Sequence, residues 1–265
     1  MENTHWTMIR AGEVEYLSAG NIAAPHGFTT RVGGVSSAPY DSLNLSMHRG
    51  DDPKNVAENF RRLTEAVGAD LQHLVLTHQT HTDIVRAVTA ADAHGLDHHT
   101  YPECDGLVTN TPGVALWVFT ADCTPILLHD PVTGAVGAVH AGWRGTAAKI
   151  AQKAVQAMTR EYGCKPENIR AAIGPNIGAC CFETDRDVPQ AVYDALEQRA
   201  ESHIRFQDGK YYVNLKEINR LILQDAGVEN IALSDACTAC DPKHYWSHRR
   251  MGKQRGSQGA IIVRR

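Results

Sequence analysis

Three short stretches of the chain concentrate side chains able to bind a metal or move a proton. They are Thr77-His-Gln-Thr-His-Thr82, Thr120-Ala-Asp-Cys-Thr-Pro125 and Val139-His-Ala-Gly-Trp-Arg-Gly-Thr146. The chain carries 14 histidines and 7 cysteines. An odd number of thiols without an export signal does not read as a disulfide framework, so these thiols are buried, metal-bound or reactive. Thiolate and imidazole together suit zinc, and also copper. A site with three protein ligands keeps its fourth tetrahedral position for water or substrate, as catalytic sites do and structural sites do not. The ligand spacing matches no compact zinc-finger pattern, so the residues alone leave the set open. His78 competes with His81. Cys123 has the alternative of a core cysteine following a buried strand, although Asp122 beside it argues for a more polar setting.

Other groups have two readings each. Cys237-Thr-Ala-Cys240 is a C-x-x-C, a spacing found in zinc knuckles and redox motifs, but no second C-x-x-C and no thioredoxin-like context accompanies it. Cys180-Cys181 is expected to pack near the site without binding metal. Gly142-Trp-Arg-Gly145 precedes a helix; backbone N–H groups there, with Arg144, would make an anion site. A structural ion pair is the alternative for Arg144. Arg31, in a Gly-rich loop, is the second cationic candidate. Arg249, Arg250 and Arg255 either extend a basic pocket or form a solvated cluster. Trp143 and Phe182 can stack on a planar base or fill core. His26, His48 and His129 read as structural histidines or substrate neighbours.

The elements that must position these groups are legible from periodicity. Val14–Leu17 and Gly27–Thr30 read as strands, and residues 32–44 as a loop. Asp52 followed by Pro53 is an N-cap for a helix over Asn55–Val67. Val114–Thr120, Ile126–His129 and Ala135–His140 are buried strands. The turn over Asp130–Gly134 is too short for a parallel crossover, so the strands flanking it pair antiparallel. A helix is expected from Gly145 to about Tyr162, a strand over Ile169–Ile173, helices over Val188–Glu201 and Leu215–Ala226, and strands over Ile231–Leu233 and Ala260–Val263. The fold class is mixed α/β (α+β), one domain over residues 1–265, with a mixed sheet that includes antiparallel strands and helices packed on it.

Composition narrows the class. At 265 residues and 43% hydrophobic the chain can bury a full core. A net charge of −4 argues against general nucleic-acid binding. Residues 1–16 contain no apolar signal region, and the longest apolar run, Val114–Phe119, is too short to span a bilayer. The expectation is a cytoplasmic protein, with no nucleic-acid or membrane partner.

Ordered motifs carry a family resemblance over nearly the whole chain. They begin with His26-Gly-Phe-Thr-Thr-Arg-Val-Gly-Gly-Val-Ser36, Ser42-Leu-Asn-Leu45 and Asp105-Gly-Leu-Val-Thr109. The stretches at 120–125 and 140–145 follow, then Ile173-Gly-Pro-Asn-Ile-Gly178 with Cys181-Phe-Glu183, Asp235-Ala-Cys-Thr238 and Ser247-His-Arg-Arg250. Together they resemble bacterial proteins once described as multicopper polyphenol oxidases, or laccases, and now as purine nucleoside phosphorylases. The resemblance implies a metal held by His81, Cys123 and His140, with Thr82 standing where the family has glycine. The implied ion is Zn2+, with Cu in its place as the alternative. The implied partners are purine nucleosides and inorganic phosphate. Adenosine or inosine would give base plus ribose 1-phosphate, with adenosine deaminase and S-methyl-5′-thioadenosine phosphorylase activities beside it. Arg31, Arg144 and Asn44 are the candidates to hold substrate or phosphate, and Arg144 and Asp122 the catalytic ones, with Glu183 a weaker acid–base candidate. A copper-dependent phenol oxidase is the alternative enzyme, although the His-x-His pairs that build its oxygen-reducing cluster are absent. A metal-dependent hydrolase of another metabolite, or a binding module with a structural metal, are the further readings.

Overall fold

In a computed structural model, which describes residues 5–265, two six-stranded sheets are stacked face to face. The first runs, in spatial order, β1 (Trp6–Ala11), β2 (Val14–Ala19), β3 (His26–Thr29), β15 (Gln258–Val263), β7 (Ala115–Thr120) and β4 (Leu74–Leu76). The second runs β14 (Asn230–Leu233), β10 (Arg170–Ile173), β8 (Thr124–His129), β9 (Val136–Ala141), β6 (Gly106–Thr109) and β5 (Val85–Ala87). Both sheets are mixed: β4–β7, β5–β6 and β10–β14 are parallel pairs and the other pairs antiparallel. Residues 1–4 of the expected domain lie outside the described residues.

Strand runs that are apolar on both faces have a simple cause here. Alternate side chains of β8 serve different cores: Leu127 packs toward the first sheet, while Ile126 and Leu128 pack toward the helices. Helices α3 (Ile150–Tyr162) and α5 (Leu215–Asp225) cover that outer face, with Ile150, Ala154, Met158, Ile218 and Ile222 buried. On the other side, α1 (Pro53–Val67) lays Val56, Phe60, Leu63 and Val67 on the first sheet, one face at helical spacing. The Asp52 side chain accepts from Lys54 N at 2.9 Å and Gly68 closes the helix at φ 75°.

The antiparallel β8–β9 pair across Asp130–Gly134 matches the sequence reading. The helix expected from Gly145 differs. It is two helices, α2 (Trp143–Ala147) and α3, because Lys149 takes a left-handed φ of 59° between them. The helix expected over Val188–Glu201 is α4 (Asp187–Leu196) followed by a 3-10 segment to His203, the change of winding falling at Glu197 with φ 53°. A small third sheet, β11 (Glu183–Thr184), β13 (Lys210–Val213) and β12 (Ile204–Gln207), sits beside α4. The last helix, α6 (His248–Met251), is capped by Ser247. Among the described residues no helix is long and apolar enough to cross a membrane.

Candidate metal centre and its cavity

Two loops cross from the first sheet to the second at the same end of the stack. β4 and β7 are parallel neighbours, so both deliver their C-terminal ends there. The loop after β4 carries His81 to β5, and the loop after β7 carries Cys123 to β8. The third group arrives on a strand. His140 lies on β9, on the face shared with Val136 and Ala138, and is therefore turned toward the first sheet. The ligand atoms of His81, Cys123 and His140 all lie within 4.8 Å of one another.

Asp105 organises this meeting. Gly106 pairs with Val139 in the β6–β9 ladder, so Asp105 falls opposite His140. His140 Nδ1 lies 2.7 Å from the Asp105 carboxylate, leaving Nε2 to face the site. The same carboxylate accepts the backbone N–H groups of Thr80 at 3.2 Å, His81 at 3.1 Å and Thr82 at 2.8 Å, and the Thr82 hydroxyl at 2.8 Å. A carboxylate behind a ligating imidazole fixes its tautomer and aim. Here it also holds the loop in which His81 sits at φ 63°. The left-handed residue is thus His81 and not Thr82, so threonine in the family's glycine position meets no positive φ.

Gly142 completes the cradle. A Cβ built there would come 2.9 Å from His81 Cδ2 and 3.4 Å from Cys123 Sγ. Any side chain at 142 would press on the ligands.

The donor set fits a metal that prefers thiolate and imidazole. Burial pushes the Cys123 thiol up, but the charge of His140 and hydrogen bonds from His140 and His81 bring it down to about 6. Burial works against charge on His140, yet the Cys123 thiolate and Asp105 raise it to about 9. For Asp105, burial is outweighed by the hydrogen bond and charge of His140, which hold the carboxyl below its usual range. The ligand nearest solvent is His81, while His140 is buried. His78 is directed elsewhere: its ring nitrogens meet Tyr101 O and His99 Nδ1.

The three ligands line a cavity of about 660 Å³. Phe119, Trp143 and Phe182 present aromatic surface to it, and Arg49, Arg249 and Arg255 present cations. Arg255 is only 4% exposed. Its Nη1 donates to Gly256 O at 2.7 Å and to Ser257 Oγ at 3.3 Å, and its Nε is buried without a partner. Burial and the nearby charge of Arg49 lower it to about 10. His48, His98 and His99 line the same cavity, and their ligand atoms also lie within 4.8 Å of one another. Burial and repulsion from His48, His99 and His78 lower His98 to about 4.

Several expected site residues are placed elsewhere. Arg144 is exposed, its guanidinium 4.1 Å from the Trp143 ring centroid, and it does not line the cavity; one step along α2 turns it away from the face Trp143 presents. Arg31 is consumed in structure. It donates to Asp41 O and Pro242 O and stacks 3.7 Å over Trp246, holding the Gly-rich loop to the C-terminal region. Asn44 is fully buried and binds Ser46 N at 3.1 Å, Ser257 N at 3.0 Å and Asp51 Oδ2 at 2.9 Å. It positions Ser46 and Ser257, which do reach the cavity. Asp122 lines the cavity, its oxygens accepting from Thr238 Oγ1 at 2.6 Å and Arg249 N at 2.8 Å. Glu183 lies outside, bound by the Tyr212 hydroxyl. His26 is a satisfied structural histidine, bonded to Ala19 N and Ala24 O.

The sequence reading gave Asp105 and Arg49 no role. Asp105 had a signal, an acidic residue directly before a buried apolar strand that starts with glycine. Arg49 had none.

Fold and site together define a two-sheet α/β protein with an open Cys-His-His cluster in a cationic, aromatic cavity. The chain belongs to the family described as multi-copper polyphenol oxidoreductase laccase, whose model matches residues 25–265. It is 41% identical over 249 residues to a purine nucleoside phosphorylase of Deinococcus radiodurans, covering 93% of this chain and 91% of that one. It is 39% identical over 242 residues to the purine nucleoside phosphorylase YlmD of Bacillus subtilis, covering 89% and 87%. The crystal structure of YlmD from Geobacillus stearothermophilus superposes with a TM-score of 0.89 at 37% identity, over 97% of this chain and 98% of that one.

Proposed function

We propose that the chain is a zinc-dependent purine nucleoside phosphorylase that converts adenosine or inosine, with inorganic phosphate, to the free base and ribose 1-phosphate. The observation that carries this reading is the meeting of two features in one cavity. One is the open thiolate–imidazole cluster; the other is buried Arg255, with a donor that no protein group takes. The volume of about 660 Å³ falls in the range of small-ligand sites. The names of the relatives supply the reaction class.

In this reaction the glycosidic C–N bond breaks, an oxygen of hydrogen phosphate bonds to C1′, and the proton that the phosphate gives up passes to the departing nitrogen. Arg255, with Arg49, docks phosphate by charge-assisted hydrogen bonds. Phe119, Trp143 and Phe182 offer faces on which a purine stacks. Asp122, pinned by Thr238 and Arg249, directs a carboxylate toward the positively charged ribose of the transition state. His81, Cys123 and His140 would hold the ion, which supplies Lewis acidity at the wall of the cavity. Adenosine deamination and methylthioadenosine phosphorolysis at the same site belong to this reading, as does a cytoplasmic setting, which suits free thiols.

Product analysis tests it. Inosine and adenosine should yield ribose 1-phosphate only when phosphate is supplied; free ribose without phosphate would establish a hydrolase instead. One observation favours the copper oxidase reading, the convergence of His48, His98 and His99. Copper-loaded protein that turns over phenols with a blue thiolate band would support that reading, and the phosphorylase reading expects neither.

A further inference from the structure

Outside the cavity, four cysteines from two segments come together. Cys180 and Cys181 lie on the loop after β10, and Cys237 and Cys240 on the loop after β14. The parallel β10–β14 pair delivers both loops to one place. A bridge between Asn176 and Cys237, with Thr238 N donating to Asn176 O, extends that pairing past the strands. The four sulfurs lie within 4.8 Å of one another. Cys240 Sγ is 3.5 Å from Cys180 Sγ and 3.4 Å from Cys181 Sγ.

We infer that Cys180, Cys181, Cys237 and Cys240 form a second metal site, a closed tetrathiolate for a soft divalent cation such as zinc. In a tetrahedron with metal–sulfur bonds of about 2.3 Å the sulfurs sit about 3.8 Å apart, close to the spacing seen. A disulfide would engage two of the four sulfurs and leave the convergence of the others without a reason. Binding exchanges four thiol protons for one cation, with no redox step. The surroundings suit the anionic product. Gly178 N donates to Cys237 Sγ at 3.1 Å, a hydrogen bond of the kind that supports a ligating thiolate. The Lys216 ammonium is fixed nearby on Ala236 O, at 2.7 Å, and Arg249 Nη1 donates to Cys181 O at 2.9 Å.

The site is built to brace rather than to react. Four protein ligands fill the coordination shell. What it ties together is the cavity wall: Ile177 and Phe182 flank one cysteine pair and line the cavity, and Thr238, between the other two, holds Asp122. On this inference Cys180-Cys181 does more than pack near the site, and the C-x-x-C does not stand alone. The second pair of thiols it lacked is supplied by a distant loop.

The test uses the full-length Cys123→Ala protein, from which the sulfur of the first site has been removed, so any metal–sulfur signal belongs to the cluster. After loading with zinc and dialysis under reductant, about one equivalent per chain should remain, with X-ray absorption showing a sulfur-only shell at about 2.3 Å. Adding Cys240→Ser should remove that equivalent or introduce a lighter scatterer. Loss of all zinc on dialysis, a first shell of nitrogen and oxygen, or a disulfide among these four residues in the reduced preparation would each overturn the inference. The readout is metal content and ligation, so it is independent of whether nucleosides are substrates.

Discussion

His81, Cys123 and His140 sit where two packed sheets exchange strands, whereas Cys180, Cys181, Cys237 and Cys240 sit on loops beyond the second sheet. The first group mixes sulfur with nitrogen, has a carboxylate behind one imidazole and faces a cavity. The second is all sulfur and is bounded by the Gly178 N–H and by cationic side chains. Each arrangement follows from what the ligands must do. A catalytic centre would need rigid walls and a free coordination position, and here two loops that cross between the sheets and one strand supply the candidate ligands. A brace needs only to join two loops, so its ligands can come from the loops themselves.

The sharpest way to break this contrast is to remove one sulfur from each site. Cys123→Ala should reduce phosphorolysis to background, while Cys240→Ser should keep turnover at low temperature and lower the melting temperature by roughly 5–10 °C, about 2–3 kcal/mol. Equal loss of activity in both variants would erase the distinction. Next in size, Asp105→Asn should weaken zinc binding at the first site by roughly 10- to 100-fold while leaving the thiolate cluster loaded, as read by competition with a chelator. Arg255→Met should lower kcat/KM for phosphate by roughly 10- to 100-fold, the worth of a charge-assisted hydrogen bond, with a smaller change for the nucleoside.

The two sites also differ in their proton balance. Without metal, Cys123 titrates near 6 and His140 near 9. Between these values the first site holds a thiolate and an imidazolium, and zinc must displace one proton, from His140 Nε2. Affinity there should therefore rise about tenfold per pH unit from 6 to 9 and level off above. Uptake measured in weak buffer at pH 7 with the Cys240→Ser protein should release roughly one proton. The smallest effect is expected at Arg144→Ala, which should leave phosphate kinetics within about twofold, as for other exposed positions.

The central strands, α1, α3 and the β8–β9 pair were readable because long apolar runs and helical spacing survive in the sequence. Strands β4, β5 and β6, only three or four residues long, were not, and neither was the six-residue β1. The break at Lys149 gave no warning either, because lysine is not a residue type that marks a left-handed position. The candidate metal ligands were legible through family motifs, and the fold brings all three side chains together. Two of the cations expected to bind an anion do not reach the cavity, for a physical reason. Arg31 and Arg144 stand in Gly-rich motifs, but the first is saturated by carbonyl groups and the second turns outward. Arg255, for which a basic pocket and a solvated cluster were both open readings, is among the most enclosed cations of the described residues. Burial of a lone guanidinium is a property of the fold, invisible in composition.

Asp105 ties these threads together through its five donors: three amides, one hydroxyl and one imidazole. Because a single carboxylate serves both the 80–82 segment and His140, that segment cannot peel away while the imidazole keeps its bearing. Capturing an ion and locking the loop become the same event, so a chain stripped of metal should exchange its amide hydrogens at Thr80, His81 and Thr82 faster than a loaded one.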